Sequence, residues 1–383
     1  MTRKKVLFLV TEDWYFVSHR LGFAKKLIES GFDVSVATRV SDCRRQIESV
    51  GITVHEIPFA RERLSPLAVV KSALAVRKVI RDTKPSIVHL VALRSILVGS
   101  ISSIGMKRPP FVNAITGLGS LFSPWKTNAR LRLVRGLVEL ALRIFLNRRD
   151  TFNVWQNEDD MENFARRGIS PKGRSWLIRG AGIDFLSRSE PPLQQKSSVP
   201  IVLFVGRFLK EKGVGQLLQA SNILLKRKIP HVIRLVGSPD DCNPLSFSSK
   251  DVAEWEAREN VEYLGRRSDI DVQMRAADVI ALPSYYREGL PRVLLESGLA
   301  GRAAVTCDIP GCRDVIRDGV TGFLVKPRDV ASLAEALEKL LVDPALRERM
   351  GSALFSLVRD EFSEEVVSSA FLKLYSGILE GKA

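Results

Sequence analysis

The sequence predicts an α/β protein made of two doubly wound parallel-sheet domains. Apolar runs typical of strands buried on both faces alternate along the chain with segments of helical periodicity. At 383 residues the chain is longer than one typical core supports, and it fits two domains. A polar, proline-rich segment separates the two halves. We therefore expect a first domain over residues 1–186, a linker over 187–200, a second domain over 201–360 and a C-terminal helical segment over 361–383.

The first half consists of repeated β-α-β units. The predicted strands cover residues 4–11, 32–38, 52–57, 86–91, 111–115 and 151–156. The predicted helices cover residues 18–30, 65–81, 96–104, 125–149 and 159–167. Residues 12–20 are expected to form the first strand-to-helix loop.

The second half repeats the alternation. Its predicted strands cover residues 201–205, 231–237, 261–264, 279–282, 303–306 and 322–325. Helices are predicted between them, including one over residues 291–299, and a final helix is predicted over 363–379.

Cysteine usage and the N-terminal sequence indicate a cytosolic protein. The cysteines Cys43, Cys242, Cys307 and Cys312 form no Cys-x-x-Cys pair and no His cluster accompanies them, which predicts reduced thiols and no structural zinc. The apolar run at residues 6–10 is shorter than a signal peptide requires. No uncharged apolar stretch approaches the roughly 20 residues of a membrane span, so we expect any membrane contact to be peripheral.

The positive charge is concentrated in the first half. Residues 1–190 contain 32 Lys and Arg against 17 Asp and Glu, whereas residues 191–383 contain 26 of each. This asymmetry indicates an anionic partner for the first domain, either a lipid surface, a phosphorylated acceptor or nucleic acid.

The most informative stretch is YYREGLPRVLLESGLAG, which follows the predicted strand 279–282. Pro291 begins a helix after this strand, so the backbone N–H groups of Gly289 and Leu290 lie at a helix N-terminus. A helix N-terminus at the carboxyl end of a sheet is a site where diphosphates bind.

Two acids flank this turn. Glu288 precedes the helix and Glu296 lies about a turn and a half inside it. Carboxylates of this kind accept hydrogen bonds from vicinal hydroxyls of a ribose or a hexose. We therefore expect a nucleotide sugar as the ligand.

A second turn with phosphate-binding character follows the strand 201–205. Gly206 and Gly213 allow tight turns, and Arg207 and Lys212 can reach a diphosphate beside the start of the next helix.

The spacing of Glu288 and Glu296 within REGLPRVLLE, followed by PGCRDVIRDGVTGFLV, resembles the donor-site signature of retaining glycosyltransferases of family 4. The likeness is strongest over the C-terminal half. Within this family, the chain resembles bacterial enzymes that add a sugar to an undecaprenyl-diphosphate-linked saccharide during glycan assembly. It implies the GT-B fold, with a deep interdomain cleft and a C-terminal helix that crosses back to the first domain. It also implies a nucleotide-sugar donor, with UDP-HexNAc or UDP-hexose expected, and no required cofactor or metal.

The same resemblance implies roles for individual residues. Arg207 and Lys212 would neutralise the leaving diphosphate, and Glu288 completes the implied catalytic set. Tyr263 and Arg266 would lie near the nucleotide base. The implied donor-binding residues are Gly206, Arg207, Lys212, Tyr263, Arg266, Glu288, Gly289, Leu290, Pro291 and Glu296.

Candidate acceptor residues lie after two strands of the first domain. Many relatives place a glycine-rich loop after the first strand, whereas this chain has no glycine there before Gly22, so His19 and Arg20 are the candidates. The glycines after strand 111–115 allow close approach of an acceptor diphosphate, or form a plain connection. His89 is a further candidate, although a core-edge histidine is the favoured interpretation. The predicted acceptor-binding residues are His19, Arg20, Asn113, Thr116, Gly117 and Gly119.

The predicted helix 125–149 is basic and amphipathic. Its apolar positions recur at helical spacing and are Leu131, Val134, Val138, Leu142 and Phe145. The cations predicted to face an anionic inner membrane leaflet are Arg130, Arg132, Arg135 and Arg143. The alternative is a packed domain helix with a solvated basic face.

Other functions remain open at this level. A nucleotide-sugar epimerase of the same fold, or a glycosyltransferase with a soluble acceptor, would fit the donor motif. A nucleic-acid-binding protein would fit the charge, but the chain lacks interleaved aromatic and basic residues. Asp269 and Asp271 form an Asp-x-Asp sequence, which some proteins use to bind metal-bound nucleotide sugars. Their position at a helix start favours a capping role instead.

Overall fold

The structure is a computed structural model that describes residues 3–59, 65–122, 129–185, 190–192, 198–240, 243–286 and 288–382, without the side chains of Ser120 and Arg130. The chain divides into two compact units. Unit 1 comprises Met1–Asp184 and Glu364–Ala383, and unit 2 comprises Phe185–Ser363. Most of the residues predicted as a linker, namely 187–189 and 193–197, lie outside the described ranges.

Unit 1 contains one parallel sheet with helices on both faces. Its strands are β1 (Lys5–Glu12), β2 (Asp33–Arg39), β3 (Thr53–Glu56), β4 (Ile87–Val91), β5 (Phe111–Ile115), β6 (Thr151–Trp155) and β7 (Ser175–Leu177). Its helices up to β7 are α1 (Asp13–His19), α2 (Leu21–Glu29), α3 (Arg44–Glu48), α4 (Pro66–Thr83), α5 (Ala92–Ser102), α6 (Ala129–Leu146) and α7 (Glu158–Arg166). The described strands pair in the order β3-β2-β1-β4-β5-β6-β7.

The apolar runs of the sequence form strands buried on both faces. In β1, Phe8 joins a core cluster with α2 on one face of the sheet, whereas Leu7 and Leu9 join a second cluster with α4 and α5 on the other face. Successive side chains of a strand point to opposite faces, so an uninterrupted apolar run is what a doubly covered sheet requires.

The connection after β1 differs from its prediction. Residues 13–19 form the helix α1 instead of a loop. The buried carboxylate of Asp13 accepts hydrogen bonds from the backbone N–H groups of Trp14 (2.8 Å), Ser41 (2.7 Å) and Cys43 (3.0 Å). These contacts, two of them from a segment distant in sequence, hold the start of α1 in place.

Unit 2 contains a second parallel sheet. Its strands are β8 (Ile201–Val205), β9 (Val232–Val236), β10 (Val261–Tyr263), β11 (Val279–Leu282), β12 (Ala303–Cys307) and β13 (Gly322–Val325). Its helices are α8 (Val214–Lys226), α9 (Ser249–Glu256), α10 (Ile270–Ala276), α11 (Arg292–Leu299), α12 (Cys312–Val315), α13 (Val330–Val342) and α14 (Pro344–Phe362). The strand order is β10-β9-β8-β11-β12-β13. The predicted class, two doubly wound parallel-sheet domains, is confirmed.

The last helix, α15 (Glu364–Glu380), belongs to unit 1. It packs on α2, and its residues Phe371 and Tyr375 enter the core cluster around Phe8. The hydroxyl of Tyr375 lies 2.6 Å from Nδ1 of the fully buried His89 in β4. This hydrogen bond connects the C-terminal helix to the central sheet.

Among the helices that the structure describes, none combines the length and hydropathy needed to cross a bilayer.

Candidate functional site

The strand order of unit 2 reverses between β8 and β11. From β8 the chain proceeds outward to β9 and β10, and then returns to place β11 on the opposite side of β8. Loops at the carboxyl ends of two such strands diverge and leave a crevice, which is where open α/β sheets bind ligands. Two connecting segments lie at this position, residues 206–213 after β8 and residues 283–286 and 288–291 after β11.

The two loops place Lys212 against Glu288. The ammonium group of Lys212 forms a short ion pair with Oε1 of Glu288, and both side chains are less than one-fifth exposed. Ser284 donates a hydrogen bond of 3.0 Å to the same carboxylate oxygen. The Lys212 ammonium also lies 5.5 Å from the centre of the Tyr286 ring. One cation, one carboxylate and one hydroxyl therefore converge at the crevice.

Backbone contacts fix the separation of these loops. The carbonyl of Glu211 accepts hydrogen bonds from the N–H groups of Tyr285 (2.9 Å) and Tyr286 (3.2 Å). Gly213 has φ of +83°, and a Cβ there would lie 2.1 Å from the carbonyl oxygen of Pro283. Only glycine fits this close approach, so the predicted need for Gly213 has a specific steric reason.

The helix α11 begins at this crevice, with Pro291 at its N-cap. Its aligned peptide dipoles place positive partial charge beside Lys212 and Glu288, where an anion is stabilised. Inside the helix, Arg292 donates a hydrogen bond of 2.8 Å to Glu296. Burial raises the pKa of Glu296, and the neighbouring Arg292 opposes that rise.

The remaining predicted donor residues lie at neighbouring strand ends. The half-exposed Arg207, after β8, donates a 2.8 Å hydrogen bond to Asp240. Arg266, after β10, donates a 2.7 Å hydrogen bond to Ser238. The ring of Tyr263 packs against Phe208 at 5.8 Å. The structure thus pairs Lys212 with Glu288 and pairs Arg207 with a different acid.

Several of these partners were not identified from the sequence. Ser284 lies four residues before Glu288, and in a loop this spacing does not predict a contact between the two side chains. Glu211 acts through its backbone carbonyl, which any residue supplies, and Asp240 is paired with Arg207 only by the adjacency of β8 and β9.

The two acids of the Asp-x-Asp sequence are engaged locally. Hydrogen bonds from Arg267 and Gln273 hold the pKa of Asp269 well below its ordinary value. Asp271 forms an ion pair with Arg275 one turn later in α10. In the described ranges, no three His, Cys, Asp or Glu side chains cluster so that they could hold a metal ion.

The predicted acceptor residues of unit 1 fall into two groups. His19 stacks on Tyr15, with ring centres 4.0 Å apart. Thr116, Gly117 and Gly119 follow β5 at the carboxyl edge of the sheet, and all are partly exposed.

Arg20 and Asn113, in contrast, are buried. Arg20 is 1% exposed, and its guanidinium lies 5.8 Å from the ring centre of Phe371 in α15. Asn113 is fully buried and donates a 3.0 Å hydrogen bond to Asn153 in the adjacent strand β6. These contacts give both residues a place in the interior of unit 1, and we correct the expectation of an acceptor-facing position for them.

The helix α6 exposes an apolar stripe. Leu142 and Phe145 of the predicted apolar face are buried, Leu131 and Val138 are half-buried, and Val134 is exposed. A second set, spaced by four, three and four residues on the outer face, is 55–67% exposed and consists of Leu133, Leu137, Leu140 and Ile144.

The basic residues of α6 differ in their surroundings. Arg132 is exposed. Arg135 donates a 2.9 Å hydrogen bond to the Leu121 carbonyl, and the exposed Arg143 donates one of 2.7 Å to the Arg167 carbonyl. The side chain of Arg130, and residues 125–128 of the predicted helix, lie outside the described part of the chain.

The two halves of the chain match different family models. Residues 188–354 match the model described as glycosyl transferases group 1. Residues 5–151 match the model described as glycosyl transferase 4-like.

Curated relatives are similar over the whole chain. One is the N,N'-diacetylbacillosaminyl-diphospho-undecaprenol alpha-1,3-N-acetylgalactosaminyltransferase of Campylobacter jejuni, 26% identical across 94% of this chain and 95% of the relative. Another is the capsular polysaccharide biosynthesis glycosyltransferase CapM of Staphylococcus aureus, 24% identical across all of both chains.

Solved structures share the fold. Sucrose-phosphate synthase of Thermosynechococcus elongatus superimposes with a TM-score of 0.81 at 20% identity, covering 99% of this chain and all of that one. HepE of Anabaena, in complex with UDP, superimposes with a TM-score of 0.74 at 19% identity, covering 97% of this chain and all of that one.

Proposed function

Because this chain is a glycosyltransferase, with a 4-like domain followed by a group 1 domain, we propose that it transfers a sugar with retention from a UDP-sugar to a polyprenyl-diphosphate-linked saccharide. The predicted family, the GT-B fold and the enzyme class are confirmed by these domain matches and by the structural neighbours. The proposed setting is the assembly of a bacterial surface glycan or of a glycan destined for protein.

The observation that carries this proposal is the pairing of Lys212 with Glu288 at the crevice between β8 and β11. When the bond between a sugar and a nucleoside diphosphate breaks, negative charge grows on the distal phosphate. The Lys212 ammonium and the N-terminus of α11 are the groups that would stabilise that charge.

We assign Glu288 to the sugar. Lys212 and Ser284 both contact Oε1, and a carboxylate has two oxygens with about four lone-pair sites between them. Glu288 can therefore accept hydrogen bonds from sugar hydroxyls while Lys212 turns towards the phosphate. Gly289 and Leu290 form the backbone turn beneath the diphosphate in this proposal.

We assign Glu296 to the ribose, one and a half turns further along α11. Arg292 shares this carboxylate and keeps it oriented towards the start of the helix. Arg207, Tyr263 and Arg266, at the ends of β8 and β10, would line the nucleotide side of the site, with Gly206 allowing close approach of the backbone.

The retaining step needs no protein base in this proposal. The departing phosphate oxygen takes the proton of the acceptor hydroxyl on the same face of the sugar on which the new bond forms. The protein positions the two substrates and stabilises the phosphate charge.

The polyprenyl-linked acceptor is supported by the Campylobacter relative, whose name specifies a diphospho-undecaprenol saccharide. His19, Thr116, Gly117 and Gly119 remain the candidates from the sequence for contact with this acceptor.

An anionic membrane leaflet is the proposed partner of the α6 surface. Leu133, Leu137, Leu140 and Ile144 form its exposed apolar stripe, and Arg132 and Arg143 are exposed on the same helix. Residues 1–190, which include α6, carry 32 basic against 17 acidic side chains, and this charge complements anionic lipid. We propose peripheral attachment to the inner face of the cytoplasmic membrane, where a polyprenyl carrier is accessible.

The deciding experiment is thermal unfolding with UDP, GDP, UDP-GlcNAc, UDP-GalNAc and UDP-Gal. A ligand at 100 times its dissociation constant adds about 2.7 kcal/mol to the free energy of unfolding, which is a visible melting shift. A shift with the uridine ligands that is lost in Glu296→Ala supports the donor assignment, and no shift with any of them contradicts it. Incubation with the UDP-sugar alone tests for an epimerase, which would change the sugar without any acceptor.

A further inference from the structure

The segment after β11 lies between the segments that follow its two neighbours in the sheet. β11 pairs with β8 on one side and with β12 on the other. The carboxylate of Glu288, in the segment after β11, contacts Ser284 and also Lys212, which belongs to the segment after β8. The backbone of Glu288, in contrast, lies against the segment after β12. Glu288 is therefore contacted from both neighbouring strands.

The contact on the β12 side is made by Gly311. This residue is buried, lies at the N-cap of α12 and has φ of +83°. A Cβ at this position would lie 2.3 Å from the carbonyl oxygen of Gly289 and 3.1 Å from that of Glu288. Close carbon–oxygen contacts in proteins measure about 3.3 Å or more. The backbone of residues 288–289 therefore packs on a position that only glycine can occupy without a clash.

The turn that contains Gly311 is itself anchored. The N–H group of Gly311 donates a 3.0 Å hydrogen bond to the carboxylate of Asp314. The carbonyl of Ile309 accepts hydrogen bonds of 3.1 Å from the N–H groups of both Cys312 and Arg313, and the side chain of Cys312 is fully buried. Because these contacts hold the turn, at least part of the displacement caused by an added side chain would fall on the backbone of residues 288–289.

Gly213 makes the corresponding contact from the β8 side. A Cβ there would lie 2.1 Å from the carbonyl oxygen of Pro283, at the start of the segment after β11. Gly311 contacts Gly289, near the end of the same segment. Glycines from the two neighbouring strands thus border both ends of the segment that carries Glu288.

A displacement at this place would change the geometry of the donor site. Relief of the 2.3 Å contact with the Gly289 carbonyl requires a movement of about 1 Å. Glu288 precedes Gly289 directly, so its carboxylate would move relative to Lys212 and Ser284. A misplacement of about 1 Å in a group that positions a substrate can lower a rate by about 100-fold.

We propose that Gly311 is a positioning residue of the donor site. Its Cα, without a side chain, sets the place of the peptide between Glu288 and Gly289, and thereby the place of the Glu288 carboxylate against the sugar. Gly311 acts through Glu288 and contacts no substrate. This inference rests on the proposed assignment of Glu288 to the sugar, and it extends the site to the segment after β12.

The test compares Gly311→Ala with Gly319→Ala. Gly319 also has a positive φ, of +72°, but a Cβ there has no neighbour within 4 Å in the described part of the chain. Both variants carry the strain of alanine at positive φ, and only Gly311→Ala adds the clash with the Gly289 carbonyl. The difference between the two variants isolates the positioning effect.

Two measurements separate positioning from folding. Calorimetric titration with UDP gives the Kd and the number of binding sites per chain. Turnover is measured as UDP released from UDP-GlcNAc, UDP-GalNAc and UDP-Gal, with undecaprenyl-diphospho-N-acetylglucosamine or water as the acceptor. It is expressed per UDP-binding site, so loss of folded chains lowers the number of sites, whereas misplacement of Glu288 lowers kcat per site.

We expect Gly311→Ala to lower kcat per site by about 100-fold relative to Gly319→Ala. The Kd of UDP should change by less than about tenfold, because the ribose and the base are held by other residues of the proposed site. Gly319→Ala should retain the kcat of the wild type.

Equal kcat per site in the two variants overturns the inference and leaves the proposed donor site intact. If Gly311→Ala does not fold and yields no UDP-binding sites, Asp314→Ala takes its place, since it removes the carboxylate that holds the Gly311 N–H group. A kcat per site below that of the wild type then supports the inference, and an unchanged kcat overturns it. A wild-type chain that binds no UDP, or releases none from any donor, contradicts the proposed function on which the inference rests.

Discussion

The ammonium group of Lys212 contacts Oε1 of Glu288, a residue 76 positions away in the sequence. The contact forms because β8 and β11 are neighbours in the sheet, and their loops carry the two residues to the same crevice. The ion pair gives the Lys212 ammonium a defined position in the crevice.

Replacing Glu288 by Gln should abolish most of the transfer activity. The glutamine side chain has a similar shape but no negative charge. It therefore does not balance the positive charge of Lys212, and it binds sugar hydroxyls less well than a carboxylate. We expect a fall of at least about 100-fold in kcat/KM. Glu254→Gln, on the exposed face of α9, is the matched control. Near-normal turnover of Glu288→Gln would contradict the assignment.

Lys212 and Arg207 should differ in their catalytic contribution. Lys212 is largely buried beside Glu288, whereas Arg207 is 55% exposed and paired with Asp240. We expect Lys212→Ala to lower kcat by about 10²–10³-fold, and Arg207→Ala to have a smaller effect because solvent screens an exposed charge. Steady-state kinetics with one UDP-sugar measure both variants, and equal losses would show that Arg207 moves to the phosphate when the donor binds.

The apolar stripe of α6 should govern binding to liposomes. Replacing Leu137 and Leu140 by Asp removes exposed apolar area, worth about 1.5–3 kcal/mol for each leucine if it is buried in lipid. Co-sedimentation with anionic vesicles should fall more than tenfold, while the melting temperature stays near that of wild type. Leu225→Asp, an exposed leucine on α8, serves as the control. Unchanged co-sedimentation would favour a solvated helix face.

Asp13 should contribute to stability in a pH-dependent way. Burial raises its pKa, but the hydrogen bonds from Ser41, Cys43 and Trp14 outweigh this and lower the pKa below its usual 3.8. A carboxylate with a lowered pKa stabilises the fold above the unfolded value, and that contribution is lost as the pH falls through the folded pKa.

Asp13→Asn should therefore lower the free energy of unfolding by about 1–3 kcal/mol at pH 7. The difference from wild type should shrink between about pH 5 and pH 3. Melting curves across this range provide the measurement, with the exposed Asp42→Asn as control. A difference that grows on acidification would show that burial dominates the pKa of Asp13.

The sequence alone determined the alternation of strands and helices, because period-two and period-3.6 apolar patterns are local properties. β5, β8, β11 and β13 begin and end at the predicted residues. The resemblance to family 4 glycosyltransferases also predicted that Lys212 and Glu288 belong to one donor site.

The exposure of individual side chains and the pairing of charges depend on the packing of the whole chain. The helical pattern of α6 predicted an apolar face that includes Leu142, and packing buries this residue. Leu137, outside the predicted face, is exposed. The sequence predicted that Arg20 lies in a loop, whereas in the structure it is buried and contacts Phe371 of the C-terminal helix. The hydrogen bond between Asn113 and Asn153 could not be predicted locally, because it depends on the order in which β5 and β6 pair. That order is set by long-range packing between segments far apart in the sequence.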